Sequence, residues 1–388
     1  MKECVAQELE SLGNSLKCRF ERTGNVSDLS EAISIQQGAI QLTPNGHPDM
    51  LGRLNDLGIS FQHRFQHTGD VSDISEAISV QQRAVQLIPN GHAHMPGILS
   101  NLGNSFQCRF KRTGNVSDVS EAISLHQKAV QLTPDGHADI PSLLGNLGNS
   151  FQCRFTRTGD VSDISEAISV QQKAIKLTKN DHIDMAGQLC NLGVSFLCRF
   201  EQTGDVCDVS VAISVHQRAV QLTPSGHADT PGRLNNLGNS FRCRFERTGN
   251  ISDLSEAISV QQQAVGLTPN GHPNMPGRLN SLGHSFRCRF QQTNDASDLS
   301  EAIVVQQRGI QLSPIGHAEI PGWLNNLGTS FRCRFHCTGN ISDVSEAISV
   351  HQRAVQLTPN GHPNLPGWLN NLGTSFRSRF ERTGDASF

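Results

Sequence analysis

The stretch LNDLGISFQHRFQHTGDVSDISEAISVQQRAVQLIPNGH, residues 54–92, decides how this chain folds. Leu54, Leu57, Gly58, Phe61 and Phe65 fall at i, i+3, i+4, i+7 and i+11, one apolar stripe on a helix of about 3.6 residues per turn. Thr68-Gly69 ends this helix, termed A, because glycine accepts the left-handed backbone of a C-cap. The one unit lacking glycine there carries Asn294, the other residue suited to that conformation. Asp73-Ile74-Ser75-Glu76 reads as a capping box that opens a second helix, B. Ala77, Ile78, Val80, Ala84, Val85 and Leu87 form its expected buried stripe, and Pro89-Asn90-Gly91 stops it. Ala77 and Ala84, seven apart, share one face and are small enough to let another helix come close. The segment is a helical hairpin.

The same wording recurs along the whole chain. Leu-Gly stands at Leu12, Leu57, Leu102, Leu147, Leu192, Leu237, Leu282, Leu327 and Leu372, always 45 residues apart. Pro96, Pro141, Pro231, Pro276, Pro321 and Pro366 head successive A helices, where a missing N–H costs nothing. A chain in which every unit repeats one pattern is a solenoid, each hairpin burying its apolar face against its neighbours. The expected fold is all-α, a right-handed superhelical solenoid of about seventeen helices. Residues 1–388 then form a single repeat domain of eight 45-residue units plus a ninth that holds helix A only.

The columns Leu57-Gly58-x-x-Phe61, Ala77, Ala84 and Pro89 resemble the tetratricopeptide repeat, with Phe in place of the family's Tyr. The unit is longer than the family's, gaining residues before Ala77 and after Pro89. In wording (LNNLGNSFRCRFERTG, SDLSEAISVQQ, LTPNGH) it is similar to the long aromatic di-alanine arrays of mushroom-forming fungi, some of which precede a caspase-like CHAT domain. The resemblance implies a helical-repeat scaffold that binds protein partners.

Composition excludes several functions. With 32 basic and 35 acidic residues the net charge is −3, so no bulk field gathers nucleic acid or anionic lipid. No apolar run reaches the roughly 18–20 residues of a membrane span, and the first residues, MKECVAQELE, lack a signal peptide's apolar core. Eleven cysteines cannot form a closed disulfide set, and the chain reads as reduced and cytoplasmic. Seven of them (Cys18, Cys108, Cys153, Cys198, Cys243, Cys288 and Cys333) share one column, which fits a small half-buried residue better than a nucleophile needed once. Cys333 and Cys337 are four apart on one helix but have no matching ligands within the unit. The histidine column of His47 and His92 follows each helix B and fits loop bracing. Arg64 and its counterparts recur in all nine units, which fits a helix-end role paired with Asp73 or Glu76. No catalytic set, nucleotide fingerprint, cofactor or metal site is expected, and the chain is read as non-enzymatic.

Columns that vary carry the functional expectation. On the face of helix A roughly a third of a turn from the buried stripe lie positions 55, 59, 62 and 66, which line the groove of tetratricopeptide folds. Asn235, Asn280, Asn325 and Asn370, with Asn239, offer amides that can both donate to and accept from a peptide backbone. The asparagines of the adjacent column, such as Asn101 and Asn326, equally suit bridging between neighbouring helices. Column 62 reads Lys17, Gln62, Gln107, Gln152, Leu197, then Arg242, Arg287, Arg332 and Arg377. Four consecutive arginines favour carboxylate or phosphate, although recent duplication would leave the same run. The expected partner is an acidic or phosphorylated extended segment of a protein or peptide, with no role for nucleic acid or membrane. A second reading makes the chain the sensor arm of a larger fungal protein whose CHAT-like effector is absent.

Overall fold

The computed structural model describes residues 2–44, 46–89, 91–179, 181–314, 317–359 and 361–384. Asn90 of the Pro89-Asn90-Gly91 stop and residues 385–388 fall outside these. Among the described residues there are seventeen α-helices, and the chain divides into two compact units, residues 1–202 and 203–388.

The first unit holds α1 (Lys2–Thr23), α2 (Val26–Leu42), α3 (Met50–Thr68), α4 (Val71–Leu87), α5 (Met95–Thr113), α6 (Val116–Leu132), α7 (Ile140–Thr158), α8 (Val161–Leu177) and α9 (Met185–Thr203, whose last residue opens the second unit). The second holds α10 (Val206–Gln221), α11 (Thr230–Thr248), α12 (Ile251–Leu267), α13 (Met275–Thr293), α14 (Ala296–Gln311), α15 (Ile320–Thr338), α16 (Ile341–Gln356) and α17 (Leu365–Thr383). Odd-numbered helices are A and even-numbered ones B. Within each unit the architecture is a right-handed solenoid of antiparallel hairpins, each B helix packing on the next A helix.

The A stripe is buried as expected. Leu144, Leu147, Phe151 and Phe155 are all under 8% exposed, and the same columns repeat through α15. The exceptions lie at the two ends of the array, Leu12 on α1 and Leu369 and Phe380 on α17, each about half exposed. Gly69 caps α3 at φ 72°, and Asn294 caps α13 at φ 55°, the one non-glycine positive φ among the described residues.

Helix B differs from expectation at two places. Its N-cap is Asp70, whose extended backbone and side-chain bond from the Ser72 N–H start the helix at Val71. Asp73 therefore sits inside the first turn, 4% exposed, and takes the Arg64 guanidinium through both oxygens at 2.9 and 2.5 Å. The buried stripe also lies further round than the apolar pattern suggests. Leu87 projects about 80° from Ala77 on the side away from Ile78 and is 48% exposed. The centre of the stripe is polar: Gln81 is fully buried.

Gln81 explains the Leu-Gly dipeptide. Its Cγ lies 2.6 Å from where a Cβ on Gly58 would stand, and His126 fills the same place over Gly103 at 2.5 Å. In some repeats the side chain of this column also reaches forward to the next A helix: His126 Nδ1 meets Ser150 Oγ at 2.9 Å and Gln306 accepts from Ser330 Oγ at 2.9 Å, whereas the amide of Gln81 makes no hydrogen bond among the described residues. Glycine is thus fixed by a buried polar side chain, which in those repeats also ties two hairpins together.

Candidate functional site

The columns that never vary are structural. Arg154 grips Asp163 at 2.8 and 2.6 Å while its guanidinium lies over the Phe151 ring at 5.8 Å. The same pair recurs from Arg19–Asp28 to Arg334–Asp343, so the arginines tie helix A to the start of helix B. Each histidine of the His47 column accepts through Nδ1 from the N–H two residues on, bracing the turn into helix A. All eleven cysteines are free thiols.

The nine candidate groove residues lie on α11, α13, α15 and α17 of the second unit. Their surroundings separate them. Asn239 turns inward, its carbonyl accepting from Gln261 of α12 at 3.1 Å. The column-55 asparagines belong to a ladder between neighbouring A helices. Asn326 donates to Asn280 at 3.2 Å, and Asn371 donates to Asn325 at 2.9 Å. Asn101 does the same to Asn55 in the first unit. The bridging reading of the adjacent column is what the geometry shows. One rung is missing: Ser281 stands where an asparagine would reach back, and the buried carbonyl of Asn235 has no partner. Asn370, on α17, is exposed.

The arginine run divides in the same way. Arg242 donates to Glu246 at 2.6 Å, and Arg377, largely exposed, lies 3.5 Å from Glu381. Arg287 and Arg332 have no carboxylate partner among the described residues, and the Nε of each is buried with no hydrogen bond. Two like charges on consecutive A helices are thus half-buried and, among the described residues, without an acidic partner. Their field acts on their neighbours. Burial and the guanidiniums of Arg242 and Arg287 push the His284 imidazole down to about 2, while burial pushes the Cys288 thiol up to about 11.

A cavity of about 670 Å³ lies instead in the first unit, walled by His92, Met95, Ile98, Leu132 and His137. It does not coincide with the arginines. The candidate site missed by sequence reasoning is the meeting of Glu246 with His284 and Cys288, whose ligand atoms all lie within 4.8 Å of one another. Glu246 belongs to one 45-residue repeat and His284 and Cys288 to the next, so no single repeat displays the set.

No protein-family model and no curated protein matches the chain. Solved structures do. The chain is similar to the APC/C hetero-tetramer Cut9–Hcn1, with 17% identity and a TM-score of 0.54 over 93% of this chain and 55% of that one. The fold is tetratricopeptide-like. The present chain thus spans about half of that longer protein. Looser matches are the C-terminal part of a TPR repeat-containing protein from Cytophaga hutchinsonii (15% identity, TM-score 0.43, 81% of this chain and 99% of that one) and the nearly identical TPR-like repeats of a Podosopora anserina kinesin light chain (14%, 0.42, 56% and 98%). No helix among the described residues is long and apolar enough to cross a membrane.

Proposed function

We propose that this chain is a non-enzymatic scaffold whose A-helix face holds an extended segment of a partner protein, acidic or phosphorylated where it crosses α13 and α15. The observation that carries this reading is the pair Arg287 and Arg332, half-buried and, among the described residues, without a carboxylate partner. A carboxylate or phosphate between them would accept in bidentate fashion and relieve their mutual repulsion. Arg242 and Arg377, already held by glutamates one turn on, would contribute by exchanging partners. The amide nitrogens of Asn280, Asn325 and Asn370 can donate to backbone carbonyls. The similar structure that covers 93% of this chain is part of a hetero-tetrameric assembly, which accords with protein binding.

The uniform period crosses residues 202–203, and we take 1–388 as one repeat domain, of the long di-alanine type found in mushroom-forming fungi and acting in the cytoplasm. The reading as the sensor arm of a CHAT-type protein uses the same surface. Selection of random peptides displayed on phage against the full chain tests the proposal. Enrichment of Asp and Glu is expected, and should be lost with R287Q/R332Q, which installs the glutamine of Gln62 and Gln107. Selection of apolar or basic peptides by both proteins would overturn it.

A further inference from the structure

Where α11 meets α13, three side chains that can ligate a metal converge. Glu246 stands in the last turn of α11, and His284 and Cys288 are one turn apart on α13. His284 Nε2 lies 3.5 Å, and Cys288 Sγ 3.7 Å, from the same atom, Glu246 Oε1. A tetrahedral zinc ion with bonds of about 2.0–2.3 Å sets its ligand atoms roughly 3.3–3.6 Å apart. Two of the three separations therefore need only a few tenths of an ångström to match. We propose that Glu246, His284 and Cys288 form a site for one zinc-class divalent cation, with water completing the tetrahedron, and that the ion clamps α11 to α13.

The donor set determines the class of ion. One thiolate, one imidazole and one carboxylate suit a borderline-soft cation such as Zn²⁺ and disfavour Mg²⁺ or Ca²⁺, which want oxygen alone. Binding releases the Cys288 thiol proton to solvent and changes no oxidation state. The thiolate and carboxylate cancel the charge of the ion, so Arg242 and Arg287 face a neutral centre. Their loss of attraction to a free carboxylate weakens the site. Arg242, now on Glu246 Oε1 at 2.6 Å, can keep the carboxylate through its second oxygen.

Repetition does not account for the cluster. Elsewhere the place of His284 is taken by asparagine in four repeats, by Thr329 and Thr374, and by Ile59 and Val194, so no packing rule of the array asks for histidine there. Only at this step does a glutamate in the column of Gln66 precede a unit that has both histidine and cysteine in these two columns. The three are also the one group of this kind among the described residues. None of the three ligands is a residue of the proposed peptide site, although Glu246 is also the partner of Arg242, and the cobalt titration reads the ion without any peptide present.

Titration of the reduced, metal-free full chain with Co²⁺ tests it. A near-ultraviolet sulfur-to-cobalt charge-transfer band should saturate at one ion per chain and be abolished by Zn²⁺. His284→Asn, which installs the residue of Asn239, and Cys288→Ala should each lose the band and more than about tenfold in affinity, with helical circular dichroism unchanged. Zn²⁺ should raise the Tm of the original chain and not of His284→Asn. Absence of a saturable band in the original chain would overturn the proposal. So would a band that survives in both variants, because the ion would then sit on other thiols.

Discussion

Replacing Gly148 by alanine tests the packing rule that the Leu-Gly dipeptide expresses. Exchanging glycine for alanine inside a helix should by itself stabilise by about 1 kcal/mol. Here the added Cβ would lie 2.6 Å from Gln171 Cγ and 3.1 Å from Cδ. Gln171 is 2% exposed, so its side chain cannot swing into solvent. Overpacking of this kind costs about 1–3 kcal/mol, which reverses the propensity gain and leaves a net loss of up to about 2 kcal/mol. In a Gln171→Ala background the obstacle is gone, and the same glycine substitution should stabilise by up to about 1 kcal/mol. The sign change makes this a double-mutant cycle with a coupling of about 1–3 kcal/mol between two residues 23 positions apart. Urea titration of the four proteins, followed by circular dichroism, measures it. Because repeat arrays can unfold in segments, midpoints at constant slope are the quantities to compare. Equal shifts from Gly148→Ala in both backgrounds would refute the claim that Gln171 dictates the glycine.

Phe196→Ala and Phe200→Ala remove side chains that are 5% and 8% exposed, and each should cost about 3–5 kcal/mol. Gln202→Ala, at an exposed position of the same helix, should change the stability by no more than about 0.5 kcal/mol in thermal or urea unfolding. Acid should destabilise the array before its carboxylates titrate. The imidazoles of His126 and His351 are held at about 4 by burial, against about 6.5 in an unfolded chain. Above pH 6.5 both states are neutral and stability is full. Between 6.5 and 4 the unfolded chain takes up protons that the folded one refuses, so stability falls by up to about 3 kcal/mol per histidine. His126→Gln/His351→Gln, which installs the residue of Gln81, should flatten that part of a Tm-against-pH curve, and an unchanged curve would show that other groups govern it.

Much of the fold is legible because the repeat states it nine times. The i, i+3, i+4, i+7 stripe through Leu54, Phe61 and Phe65 defines helix A, and Gly69 with Asn294 marks its end, since backbone conformation alone demands those residues. Helix B was misplaced by three residues because Asp70 and Asp73 are both acceptable caps in sequence. Only the half-buried Arg64 guanidinium, bound to Asp73, decides which one is free to cap. Gln81 was overlooked for a similar reason: a polar residue at the centre of a buried face is invisible to an apolar pattern. The candidate site was legible as a change of column 62 from neutral to basic, which no packing rule requires. Sequence could not show which members of that run are compensated. Glu246 lies four residues from Arg242, while the residues four beyond Arg287 and Arg332 are Gln291 and His336, and the difference acquires meaning only when the side chains are placed. The asparagine ladder likewise depends on pairing between consecutive units, and Ser281 opens a rung that a column read down its own length does not reveal.

The central claim is that Arg287 and Arg332 bind an anionic segment. The most direct test is calorimetric titration of the full chain with an extended phosphoserine peptide and with its unphosphorylated twin. Saturable binding of the phosphorylated peptide is expected. It should weaken as salt rises, since exposed charges are screened within about 8–10 Å at physiological ionic strength. R287E/R332E should abolish it, and R287Q/R332Q should weaken it, without lowering the Tm. Equal affinity of the original and charge-reversed chains for the same peptide would contradict the account and leave the arginine run a relic of duplication.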